Sequence, residues 1–146
     1  MPKNQEPLAA NVQANMKSIQ KMTGGCHCQA IRFEASVNSE ATILNCNCSI
    51  CKMTGFQHLI VNHHDFQLLS GKNSLSEYQF NTHQAKHLFC KSCGIKSFYQ
   101  PRSHPKSWSI NVNCLDNFDP EKWQFNDFDG VNWEQAKADL NHIFDD

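Results

Sequence analysis

The chain lacks a basic patch, a block of like charges and any long apolar run. Thirteen Lys and Arg stand against fourteen Asp and Glu, a formal net charge of −1 at pH 7. A protein gripping nucleic acid through phosphates would show clustered positive charge, so direct nucleic-acid binding is not expected. No stretch approaches the ~20 apolar residues of a membrane span, and the first residues have no apolar signal core. The sequence therefore reads as cytoplasmic, with the nucleus as the alternative, and no membrane partner is expected. There is no internal repeat and no low-complexity linker. At 146 residues the chain is one domain. A core of this size buries only about two-thirds of the unfolded surface, so cross-links of some kind would help it.

Cysteine supplies them. Seven of the eight cysteines fall in three tight clusters: Cys26-His27-Cys28, Cys46-Asn47-Cys48-Ser49-Ile50-Cys51, and Cys90-Lys91-Ser92-Cys93 followed by Gly94. A reducing compartment favours metal ligation over disulfides, and the three-cysteine cluster leaves an odd count for pairing. Four thiolates saturate one tetrahedral zinc, whereas three leave a position free. Seven thus suggest two Zn2+ per chain, one closed and structural, one open and able to do chemistry.

The surrounding pattern is mostly β. Residues 1–20 are polar with loose helical spacing and read as a flexible N-terminal segment; the zinc-binding domain is placed at 21–146. Alternation predicts strands over 31–34, 42–44, 58–61, 66–69, 86–89, 96–99 and 108–113. Asn132 with Gln135 has capping-box spacing and predicts a short C-terminal helix over 133–140. If Cys26 and Cys28 lie on a strand, both face one side and His27 faces away. Cys90–Cys93 reads as a hairpin tip, with Gly94 taking the positive φ such a knuckle needs.

A C-x-C plus a distant C-x-x-C-G makes a sensible four-thiolate site from Cys26, Cys28, Cys90 and Cys93. A structural zinc there contributes on the order of 10 kcal/mol to folding. Spacing alone does not fix the partnering, since Cys46, Cys48 and Cys51 can borrow a ligand from either other cluster. The middle cluster is the candidate reactive site. Its fourth position is either open, to water or an incoming thiolate, or filled by Cys114, His58, His83 or His87. His83 and His87 are also candidate bases near neutral pH; the alternative for each is a hydrogen-bonded structural histidine. Arg102, in Pro101-Arg102-Ser103-His104-Pro105, can fork onto a carboxylate or be an ordinary loop charge. His27, His63 and His64 read as surface residues.

The three ordered clusters resemble the glutathione-dependent formaldehyde-activating enzyme family, whose other name-giver is centromere protein V. Phe80-Asn81-Thr82-His83, Lys96 to Ser103 and Asn113-Cys114-Leu115-Asp116 resemble its animal centromere-protein-V branch in particular. The resemblance covers roughly residues 21 to 140. It implies a mainly β fold of small antiparallel sheets, a zinc-stapled β-tent. It implies a structural zinc on Cys26, Cys28, Cys90 and Cys93 and a second zinc on Cys46, Cys48 and Cys51. The activity implied is a carbon–sulfur lyase joining glutathione, or a similar small thiol, to formaldehyde as S-hydroxymethylglutathione. His83 or His87 would move the proton, and Arg102 or Lys52 would hold a substrate carboxylate. The chain departs from the bacterial pattern at Gln29, where glycine is common. The alternative function is a non-catalytic zinc module binding cytoskeletal or chromatin partners.

Overall fold

The computed structural model describes residues 18–132 and 134–135. Ten strands dominate them: seven fall where the alternating pattern predicts, and three, Ile19–Gly25, Leu75–Tyr78 and Gln124–Phe128, do not. In chain order they are β1 (Ile19–Gly25), β2 (Arg32–Asn38), β3 (Thr42–Cys46), β4 (Gln57–Asn62), β5 (Phe66–Ser70), β6 (Leu75–Tyr78), β7 (Lys86–Cys90), β8 (Phe98–Gln100), β9 (Ser107–Asn111) and β10 (Gln124–Phe128), with one short helix, α1 (Ser49–Thr54), between β3 and β4. A three-stranded sheet has the order β1-β2-β5. A seven-stranded sheet has the order β10-β3-β4-β9-β8-β7-β6. Pairing is antiparallel except for β10, which runs parallel to β3. The helix expected over 133–140 lies outside the described residues apart from Glu134 and Gln135. No described helix is long and apolar enough to cross a membrane.

The core forms where the two sheets face each other. In β2 the alternation is strict: Phe33, Ala35 and Val37 are buried and their neighbours are not. Successive strand side chains point to opposite faces, so one face of β2 is apolar throughout. Opposite it stand Ile43, Leu59, Phe98 and Ile110. Phe33 stacks on Phe66 at 5.4 Å and meets Phe98 edge-on at 5.7 Å. Such offset and edge contacts add about 0.5–1.5 kcal/mol per pair beyond burial.

One sequence inference needs correction. Cys26 and Cys28 do not lie on a strand, because β1 ends at Gly25 and Cys26–Ala30 is a turn. The Gln29 amide donates to the Cys26 carbonyl at 3.2 Å, and the Cys26 amide donates to the Ile31 carbonyl at 3.1 Å. A tight turn, not strand alternation, brings the two sulfurs together. His27 is exposed, as expected.

The turn also explains the departure at Gln29. Its φ is 70°, in the left-handed region, which costs a side-chain-bearing residue roughly 1–2 kcal/mol. Its amide oxygen accepts from Arg32 on the surface, a weak compensation. Gln29→Gly should therefore stabilise the fold by about 0.5–1 kcal/mol after glycine's own entropy cost. Chemical denaturation of the metal-loaded protein checks this; unchanged or lower stability would contradict it.

Candidate metal centres and their cavity

The first centre joins two distant loops. Cys26 and Cys28 come from the β1–β2 turn. Cys90 ends β7, and Cys93 follows in a knuckle closed by the Gly94 amide donating to the Cys90 carbonyl at 2.7 Å. Gly94 has φ 78°, the positive value expected. The four sulfurs all lie within 4.8 Å of one another. Cys28 is 3.6 Å from both Cys26 and Cys90. Four sulfurs on a tetrahedral ion with bonds of about 2.3 Å stand about 3.8 Å apart, so this donor set fits zinc. Backbone amides of Ile31 and Cys93 point at the sulfurs of Cys26 and Cys90, which suits thiolate acceptors.

The second centre is Cys46, Cys48 and Cys51, again within 4.8 Å of one another. Among the described residues no fourth Cys, His, Asp or Glu joins this set. Its scaffold differs from a simple turn. Cys46 ends β3, Cys48 caps the start of α1, and Cys51 sits buried on α1. The helix stops at Gly55, whose φ of 66° makes it a left-handed C-cap. Three thiols this close cannot all ionise without a cation. Mutual hydrogen bonds push Cys48 down to about 2 and Cys46 up to about 11; Cys51 is also pushed up. A divalent ion would displace the remaining protons, and the donors fit zinc with one position unfilled.

The cluster borders a cavity of about 370 Å³. Its walls include Leu44, Ile60, Phe80, Tyr99, Phe128 and Val131. His58, His87 and Arg102 are among its polar lining. Arg102 holds Glu134 through Nη2 at 2.6 Å. Of the residues picked from sequence, His58, His87 and Arg102 therefore line the cavity that the cluster borders. His83 and Lys52 are exposed and do not line the cavity; His83 Nδ1 instead bonds the Asn81 carbonyl in a turn.

His58 touches the cluster without joining it. Its Nε2 lies 3.1 Å from the Cys51 sulfur and its Nδ1 2.9 Å from the Ser109 hydroxyl. Burial, helped by the charge of Lys96, lowers its pKa to about 3, so the ring is neutral. With Cys51 as thiolate, Nε2–H donates to sulfur and Nδ1 accepts from Ser109.

Two contributors escape a reading of the sequence. Lys96 is buried, with Nζ 2.7 Å from His87 Nδ1 and 4.0 Å from the centre of the Tyr99 ring. The other is the segment after β10. Asn47 ties it down: Asn47 Nδ2 donates to Asp129 at 3.1 Å, and the Val131 amide donates to Asn47 Oδ1 at 3.0 Å. This presses Gly130 onto the thiolates. A Cβ there would stand 2.5 Å from the Cys46 sulfur and 2.8 Å from Cys48 Cβ.

Two thiolate clusters on one β framework, one complete and one facing a cavity, define a β protein able to hold two thiophilic ions. More narrowly, the chain belongs to the glutathione-dependent formaldehyde-activating enzyme family, whose model matches residues 21–128. It is also similar to a Rhodobacter sphaeroides protein of known crystal structure. That protein is 34% identical with a TM-score of 0.65, over 72% of this chain and 100% of that one.

The two centres should fail differently. Cys90→Ser should give unfolded or aggregating protein, and Cys48→Ser folded protein that has lost one of two bound ions. Circular dichroism with metal analysis tests the pair; equal collapse of both would refute the division of labour. Gly130→Ala should also empty the second centre while sparing the first, because its methyl group occupies the sulfur's space. Two ions retained per chain would show that the segment simply yields.

Proposed function

We propose that this protein is a zinc-dependent carbon–sulfur lyase acting on a small thiol and its adduct with formaldehyde or a related carbonyl. Glutathione is the thiol that the family's name suggests. The observation that carries the reading is the three-thiolate cluster opening on a cavity, with no fourth donor from the described residues. A non-catalytic module would call for a fully ligated, buried ion instead. Phe80 to His83 and Asn113 to Asp116 favour the animal centromere-protein-V branch; the bacterial neighbour speaks to the family alone.

Zinc held by Cys46, Cys48 and Cys51 would supply a Lewis acid that keeps a fourth sulfur, the substrate's, as thiolate at neutral pH. The chain's own residues then divide the work. His58 donates to Cys51, spreading the negative charge of the cluster and fixing that ligand's direction. Leu44, Ile60, Phe80 and Phe128 narrow the cavity and exclude water from the reacting carbon. Arg102 offers the fork for a substrate carboxylate, in exchange for Glu134. His87, on the wall of the same cavity, is the residue assigned to the carbonyl oxygen as charge develops there. In this reading His87, not His83, handles the oxygen, and Arg102, not Lys52, takes the carboxylate.

The reaction adds the thiol across the carbonyl of formaldehyde to give the S-hydroxymethyl adduct, and it runs in both directions. Exchange NMR on glutathione with formaldehyde reads it directly. The two-ion protein should exchange the hydroxymethyl group well above the uncatalysed rate, and Cys48→Ser should return it to background. A fully loaded protein at the background rate would exclude this substrate pair.

A further inference from the structure

Lys96 is the charged residue that the scheme above leaves unused. It is 7% exposed, an unusual state for a lysine. Its Nζ lies 2.7 Å from His87 Nδ1. The ammonium also sits over the Tyr99 and Phe56 rings, at 4.0 and 4.9 Å. An ammonium has three donors and no acceptor. Nδ1 of His87 must therefore accept, and the neutral ring carries its hydrogen on Nε2. The ring cannot easily turn away: it stacks on Tyr99 at 4.9 Å and 11°, and on Phe80 at 5.3 Å and 24°. His87, Tyr99 and Phe80 all line the cavity on which the second cluster opens.

We propose that Lys96 and His87 form a proton relay for the substrate oxygen, with Lys96 the reservoir and His87 Nε2 the atom that delivers. This rests on the lyase reading. In the joining direction the thiolate sulfur bonds to the carbonyl carbon, and the C=O π pair moves to oxygen. The oxygen takes the Nε2 proton of His87 while Nδ1 takes one from Lys96 Nζ. Lys96 is left neutral and His87 carries its hydrogen on Nδ1. The proton lost earlier by the substrate thiol to solvent is balanced when solvent reprotonates His87 Nε2 from the cavity and Nδ1 hands its hydrogen back to Lys96, which restores the starting tautomer. Cleavage runs the same moves backwards, with neutral Lys96 as the final base. No oxidant or reductant is involved.

The electrostatics favour this arrangement. Burial, offset by the facing thiolates of Cys51, Cys48 and Cys46, brings Lys96 down to about 8. Burial and then the Lys96 charge bring His87 down to about 4. The pair thus holds one extra proton near neutrality, and Lys96 holds it. His87 alone would have no imidazolium to spend at about pH 7, whereas a donor near 8 is matched to the working pH. The groups facing Lys96 are His87 on β7, Tyr99 on β8, His58 on β4 and the three thiolates. His58 is already neutral at its pKa of about 3, and burial holds Tyr99 protonated, so neither competes for the proton.

The test has two arms. Long-range 1H–15N correlation on the zinc-loaded protein reads the His87 tautomer. We expect hydrogen on Nε2 and an accepting Nδ1 at neutral pH, with both nitrogens shifting as Lys96 deprotonates near pH 8. This arm needs no variant and no turnover. The kinetic arm uses Lys96→Arg, which keeps the cation but cannot release a proton, and Lys96→Met, which removes both. Hydroxymethyl exchange should fall about 100-fold in each, with KM little changed and the limb near pH 8 lost. Hydrogen on Nδ1 in the wild-type protein overturns the relay. So does a metal-loaded Arg variant as fast as the wild type. A wild-type protein with the expected tautomer that turns over no thiol–carbonyl pair overturns the lyase reading, and the relay's use with it. If both variants fail to fold, the wild-type tautomer and its pH response decide.

Discussion

Four sulfur atoms within 4.8 Å of one another tie the β1–β2 turn to the end of β7. Those two segments are 62 residues apart along the chain. Without a cation, four thiolates would repel one another; with one, they are a cross-link that needs no oxidising compartment. The rest of the structure follows from that tie. It brings the small sheet over the large one, so that the apolar face of β2 meets β4, β8 and β9. Phe33, buried between Phe66 and Phe98, lies at the centre of that contact.

The same donor chemistry gives the second cluster a different character because its neighbours differ. The first lies between loops and is finished by its fourth cysteine. The second lies at the end of β3 and the start of α1, beside a cavity, with His58 and Ser109 behind it. Lys96 adds positive charge to this wall without reaching the sulfurs as a ligand. Charge is thus layered: thiolates in front, neutral imidazoles next to them, a buried ammonium behind.

The clusters and the strands flanking them are legible because their signal is local. Short cysteine spacings and the alternation of β2 can be read without knowing the fold. The turn at Cys26–Ala30 mimics a strand because a period of two and a tight turn both bring alternate residues together over three positions. β1 and β10 give little signal: Met22 and Thr23 are only partly buried, and β10 reads Gln-Phe-Asn-Asp-Phe, too polar to announce itself. α1 is hidden because six residues carrying a cysteine ligand give no helical period. Lys96 opens an expected strand, yet nothing in the sequence marks it as buried. Beside Ile95 and Ser97 it looks like any strand lysine, and only the fold shows it buried over the Tyr99 and Phe56 rings. Gly130 looks like an ordinary loop glycine until Asn47 is seen to pull its segment onto Cys46.

That contact between Gly130 and the Cys46 sulfur has a bearing on the order of assembly during synthesis. All four donors of the first centre have left the ribosome once Cys93 emerges. The segment that packs on the second centre is made more than thirty residues later. A nascent chain can therefore close its rivet before the sulfurs of the second cluster are roofed. An ion at the first centre would be loaded first, and an ion at the second would enter an already rigid cradle.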